Sequence, residues 1–157
     1  MKPSLSACAA ALLLLAAPPL HAALRISEFM ADNASGLTDA DGDHPDWLEL
    51  ENTGPDSASL DGWFLTDNAA DLRQWRIPAV SLAPGARLVV FCSGKDRSSP
   101  LAPLHTSFSL DSAGEFLALV RPDGTSIESS FAPLFPRQRP DVSYGIGNLT
   151  TVRLPMP

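Results

Sequence analysis

This sequence predicts an all-β domain of short strands behind a removable leader, and three observations carry that prediction. Fifteen prolines and ten glycines punctuate its 157 residues at short intervals. Between them lie segments of about five to seven residues, rich in branched and aromatic types, and several alternate with period two. No stretch has the spacing of a long amphipathic helix. Short strands separated by turn residues at this density belong to a sandwich or a barrel.

The leader comes first in the chain. Lys2 is followed by a nearly unbroken apolar run over residues 5–17, then Pro18, Pro19 and the sequence Leu20-His21-Ala22-Ala23. That is the layout of a secretory signal peptide over residues 1–22, cleaved near Ala22. A spanning helix takes roughly 20 apolar residues, and the paired prolines end this run short of that. Leu5-Ser6-Ala7-Cys8 has the residue types of a lipoprotein processing site that would leave Cys8 lipidated. However, the apolar run follows Cys8 instead of preceding it. The expected location is therefore secreted, periplasmic or at a bacterial cell surface, with no transmembrane segment in the mature chain.

Strands are expected over residues 24–30, 46–52, 63–66, 74–77, 87–92, 108–110, 115–120, 126–131 and 142–144. In Trp47-Leu48-Glu49-Leu50-Glu51 the two leucines share one face and the two glutamates the other, so the leucines should face the core. Turn chemistry joins these runs at Asn52-Thr53-Gly54-Pro55-Asp56, at Ala83-Pro84-Gly85 and at Arg121-Pro122-Asp123-Gly124, the last reading as a hairpin. Residues 31–45 form the longest and most acidic connection, the place where a functional site is most expected. The domain is expected to span 23–146, with 147–157 a polar tail or the start of a linker.

Removing residues 1–22 takes away Lys2 and no acidic side chain, so a formal charge of −7 becomes −8. Such a surface repels phosphate backbones and argues against nucleic-acid partners. After cleavage Cys92 has no intrachain partner, so core packing must stabilise the roughly 135 residues that remain. In its apolar run Cys92 reads as a small buried hydrophobe.

The acidic loop holds Asp39-Ala40-Asp41-Gly42-Asp43-His44-Pro45-Asp46. Calcium takes six to eight oxygen ligands, and alternating aspartates supply several from one short loop. The match to an EF-hand breaks at its sixth position, His44, and its twelfth, Leu50. A looser calcium site of Asp39, Asp41, Asp43 and Asp46 competes with a solvated loop that uses aspartate for its turns. No other cofactor is indicated. Neither a nucleophile elbow nor a phosphate-binding glycine loop is present, and the mature histidines, His44 and His105, form no zinc-binding pair. His105 reads as a residue at the start of a strand bonded to backbone, not as a general base. Trp47, Trp63 and Trp75 read as core before sugar platform, with Trp75 the most exposed of the three.

From Leu24 to about Gly145 the chain resembles the lamin tail domain family in its bacterial secreted form. The resemblance rests on Ile26-Ser27-Glu28-Phe29-Met30, the stretch from Asp46 to Gly54, Leu60-Asp61-Gly62-Trp63, and Leu82-Ala83-Pro84-Gly85 leading into Leu88-Val89-Val90-Phe91. It implies an immunoglobulin-like β-sandwich without a catalytic site. In nuclear lamins the domain is an interaction surface for proteins and DNA, and bacterial copies accompany exported modules such as hydrolases or spore-coat-kinase-like domains. Here the export signal and acidic charge remove the nuclear and DNA roles, and no coiled-coil rod precedes the domain. The expectation is a non-enzymatic extracytoplasmic interaction or adhesion module that binds a protein or cell-surface partner through loops or a sheet edge. Its alternatives are an accessory domain of a larger secreted enzyme and a calcium-dependent adhesin.

Overall fold

A computed structural model describes residues 24–146. The expected leader, its cleavage point, Cys8 and the tail 147–157 lie outside the described residues. Eleven strands follow one another: β1 (Leu24–Met30), β2 (Asp46–Asn52), β3 (Ala58–Ser59), β4 (Phe64–Thr66), β5 (Trp75–Arg76), β6 (Ser81–Leu82), β7 (Arg87–Cys92), β8 (Leu104–His105), β9 (Leu117–Val120), β10 (Ile127–Phe131) and β11 (Tyr144–Gly145). A five-stranded sheet in the order β11-β1-β2-β7-β8 faces a four-stranded sheet in the order β10-β9-β4-β5, and β3 with β6 makes a small third sheet. The expected β-sandwich is the architecture observed.

The three long strands of the first sheet begin and end where the sequence places them. In β2, Leu48 and Leu50 point into the core while Glu49 and Glu51 point outward to Arg87 and Arg25. Strand β1 does not keep strict alternation: Leu24, Ile26 and Phe29 are all buried. The register against β2 slips between Ile26 and Glu28, leaving Ser27 as an extra residue. Such a bulge turns the remainder of the strand over, so Phe29 enters the core and Glu28 leaves it. The Ser27 hydroxyl meets the Glu49 carboxylate at 2.7 Å, and the Ile26 amide donates to Ser129 Oγ at 3.1 Å, drawing β10 toward β1.

The hairpin expected at residues 121–124 joins β9 to β10, with Asp123 Oδ1 accepting from the amides of Thr125 and Ser126 at 2.8 Å each. Three strands, β3, β6 and β8, were not expected; each has two residues, too few to show alternation. The strand expected over 108–110 is a correction. Phe108 and Leu110 are buried as its pattern implies, but the Phe108 carbonyl accepts from Gly94 N and from Thr106 Oγ1, leaving one isolated bridge between Ser93 and Ser109.

Residues 133–146 pass back across the open side of β1. Phe135 is buried against Phe29, with ring centroids 4.6 Å apart, and its amide donates to the Glu115 carbonyl at 2.8 Å. Strand β11 then pairs with β1, and only glycine fits at position 145: a Cβ there would stand 2.6 Å from the Ser27 carbonyl oxygen.

Candidate functional site

The connection over 31–45 is an Ω-shaped loop. Met30 and Trp47 are cross-strand partners, so the loop leaves and re-enters the sheet at neighbouring points. Asn33 organises its interior: Nδ2 donates to the carbonyls of Leu37 and Pro45 at 2.7 Å each, while Oδ1 accepts from Gly36 N at 2.9 Å. From outside, Asp141 accepts from the amides of Ala34 and Ser35 and from the Ser35 hydroxyl at 2.6 Å. These bonds hold the Asp141 carboxyl below its usual range, the Ser35 hydroxyl first among them. Under the loop Met30, Trp47 and Phe91 form a small second core on the outer face of the sheet.

The structure brings Asp39, Asp41 and Asp43 together and leaves Asp46 apart. One carboxylate oxygen from each of the first three lies within 4.8 Å of the others. Their turn is closed by bonds from Asp39 N to Asp43 O and from Gly42 N to Asp39 O, with Gly42 at φ 85°. Between the carboxylates sits the ammonium of Lys95, whose Nζ lies 2.5 Å from Asp39 Oδ2, 2.7 Å from Asp41 Oδ2 and 2.7 Å from Asp43 Oδ2. Arg97 adds a second contact to Asp41 at 2.7 Å. The Asp39 side chain is fully closed off from solvent, at 0% exposure. Asp41 is lowered to about 2, first by Arg97 and then by Lys95. Asp39 is lowered chiefly by its bond from Lys95, and Lys95 is raised in turn, chiefly by Asp39. Depressed carboxyls stabilise the folded chain above their unfolded pKa, so this contribution is complete above about pH 4 and lost as acid titrates Asp41 near its folded value.

Asp46 heads β2, half-buried, and accepts from the Asn33 amide at 3.1 Å. Burial raises its carboxyl pKa. It lines a cleft of about 320 Å³ together with Asp43, His44, Pro45, Cys92, Ser93, Lys95 and Ser109. Cys92 is buried and free as expected, and burial holds its thiol well above the usual range, so it is not a reactive thiolate. His105 lies in β8 and exchanges backbone bonds with Arg97 at 2.9 Å in each direction. Its ring is stacked on Phe91, 2.9 Å from Ser93 Oγ at Nδ1, and burial lowers its pKa. Among the described residues no carboxylate bonds to that ring, so the pair lacks the orienting third group of a catalytic triad.

The tryptophan expectation needs one correction. Trp75 is 3% exposed and donates from Nε1 to Asp96 Oδ1 at 3.0 Å, Trp47 is buried, and Trp63 is half-buried against the core. A stacking platform needs open ring faces, which these three do not offer together.

Glu115 shows a second kind of electrostatics. Burial first, and then the charges of Asp67, Asp111 and Asp46, push its carboxyl up to about 7, against a lowering bond from the Asp111 amide. Between the ordinary value of 4.5 and about 7 the folded chain holds a proton that the unfolded chain has lost. Stability from this group therefore falls as pH rises through that window. Glu115→Gln keeps an acceptor for the Asp111 amide and removes the charge. The variant should match the wild type near about pH 4 and melt a few degrees higher at about pH 8. A difference that does not change with pH would contradict this assignment.

The fold and the loop define an immunoglobulin-like sandwich with a structured acidic loop at one end. The chain belongs to the lamin tail domain family, whose model matches residues 18–132. That family is a non-catalytic one. A comparison with curated proteins found no match. Among the described residues no helix is long and apolar enough to cross a membrane.

Proposed function

We propose that this protein is a non-enzymatic interaction module, exported from the cytoplasm, that binds a protein or cell-surface partner along the free edge of its five-stranded sheet. One observation carries this reading. Four of the seven large apolar side chains exposed among the described residues, Leu134, Val142, Tyr144 and Ile146, fall on the short segment that brings in β11. Among the described residues strand β11 pairs with β1 on one side only, and an open edge with apolar side chains beside it suits a partner that adds main-chain bonds and fills alternate side-chain positions. A net charge of −7 disfavours nucleic acid as that partner.

The test compares capture from envelope extract by the wild type and by a Val142→Asp, Ile146→Asp double variant. Both positions are exposed, so the variant should keep the wild-type melting temperature to within a few degrees. Proteins retained by the wild type and lost by the folded variant support edge binding. Identical capture by the two would move the binding surface elsewhere.

A further inference from the structure

We propose that Lys95 is a tethered cation: it fills the position among Asp39, Asp41 and Asp43 that a free metal ion would otherwise take, so that the chain itself locks the acidic loop. Three carboxylates this close repel one another unless a positive charge lies between them. The ammonium supplies that charge and matches the geometry, since it has three N–H donors and the three Oδ2 atoms accept them. An arginine would not substitute, because its planar fork suits two parallel acceptors better than three convergent ones. The chain has nine arginines and only two lysines, Lys2 and Lys95, so the compact cation is used where a point charge is needed.

The approach of Lys95 is itself built in. Ser93 Oγ accepts from the Lys95 amide at 3.2 Å, and Gly94, at φ 71°, turns the chain after β7 toward the loop. Asp39 has no oxygen to spare: Oδ2 faces Lys95, and Oδ1 accepts from the amides of Asp41 and Asp43. Calcium seeking six to eight oxygens would find the Oδ2 atom of each carboxylate already held by Lys95 and would have to evict the ammonium. The loop and the segment after β7 then form one rigid unit regardless of calcium in the medium.

Lys95 reports on its own seat. The protein is treated with an amine-acylating ester, and peptide mapping separates Lys95 from Lys2 and the amino terminus. The rate at Lys95 is measured with about 10 mM calcium chloride, enough for weak extracellular sites, and with sodium chloride of equal ionic strength. Acylation should be at least about tenfold slower than in urea-unfolded chain, since each pKa unit lowers the free amine tenfold, and calcium should not speed it. Faster acylation in calcium than in the salt control would mean that the metal displaces the lysine, and would overturn the proposal. In a second arm, Lys95→Met should melt below the wild type and recover with calcium, while the wild type does not respond. A variant as stable as the wild type, or one that calcium leaves unmoved, would equally overturn it.

Discussion

Phe135→Ala should destabilise the domain by about 3–5 kcal/mol, a large share of the stability such a domain has. The ring is 1% exposed and packs on Phe29, which also meets Phe131 and Tyr144 at centroid distances of 4.9 and 5.6 Å. Truncation would open a void against β1 of the larger sheet and loosen the segment that presents β11. The neighbouring Leu134 is exposed, so Leu134→Ala should stay within about 0.5 kcal/mol of the wild type. Urea unfolding reads both, and a shift of the midpoint at constant slope reports stability alone. The family match ends at residue 132, so this pair asks whether the following segment belongs to the folding unit. Equal stabilities of the two variants would make the segment a passenger.

The larger sheet was legible because its strands are long enough to carry a pattern. Strands β2 and β7 have seven and six residues, and in β2 the buried Leu48 and Leu50 alternate with the charged, partly exposed Glu49 and Glu51. Strand β1 was legible in extent but not in facing, because a bulge at Ser27 cannot be read from LRISEFM. The two-residue strands were hidden, since a backbone pair of that length leaves no periodic trace. Trp75 was misplaced for a related reason: flanked by Gln74 and Arg76, it looked polar in company, yet its strand turns it inward against Leu65 on β4.

At the acidic loop, Asp39, Asp41 and Asp43 were legible from spacing alone, and Asp46 was grouped with them because it is near in sequence. Strand geometry separates it, since β2 starts at Asp46 and directs it to the cleft. What the spacing could not reveal was the cation. Lys95 and Arg97 come from beyond β7, more than 50 residues further along the sequence, and Asp141 from further still. The one signal the sequence offers is the scarcity of lysine: Lys95 is one of two lysines in a chain that otherwise uses arginine.

Asn52→Ala should cost about 3–5 kcal/mol, although position 52 reads in the sequence only as the end of a strand and the start of a turn. The side chain is fully buried; Nδ2 donates to the carbonyls of Asp56 and Leu82 at 2.8 and 3.0 Å, and Oδ1 accepts from Gly54 N at 3.0 Å. Alanine would take a bond from each of three backbone groups, at about 1–3 kcal/mol for each left unpaired where water cannot reach. Asn52→Asp separates the roles of donor and acceptor. It keeps an acceptor for Gly54 but sets a carboxylate against two carbonyls, so its folded pKa should rise. Its stability should then fall as pH climbs above about 4, because only the protonated acid can donate. Asn52 ends the strand that Asp46 begins, roughly 20 Å from the acidic loop at about 3.3 Å per residue. At that separation, effects on stability should add. Asn52→Ala should therefore lower the melting temperature without changing the acylation rate of Lys95 in the folded protein. Loss of less than about 1 kcal/mol would show that water replaces the amide, and a faster Lys95 reaction would show that the two ends of β2 are coupled.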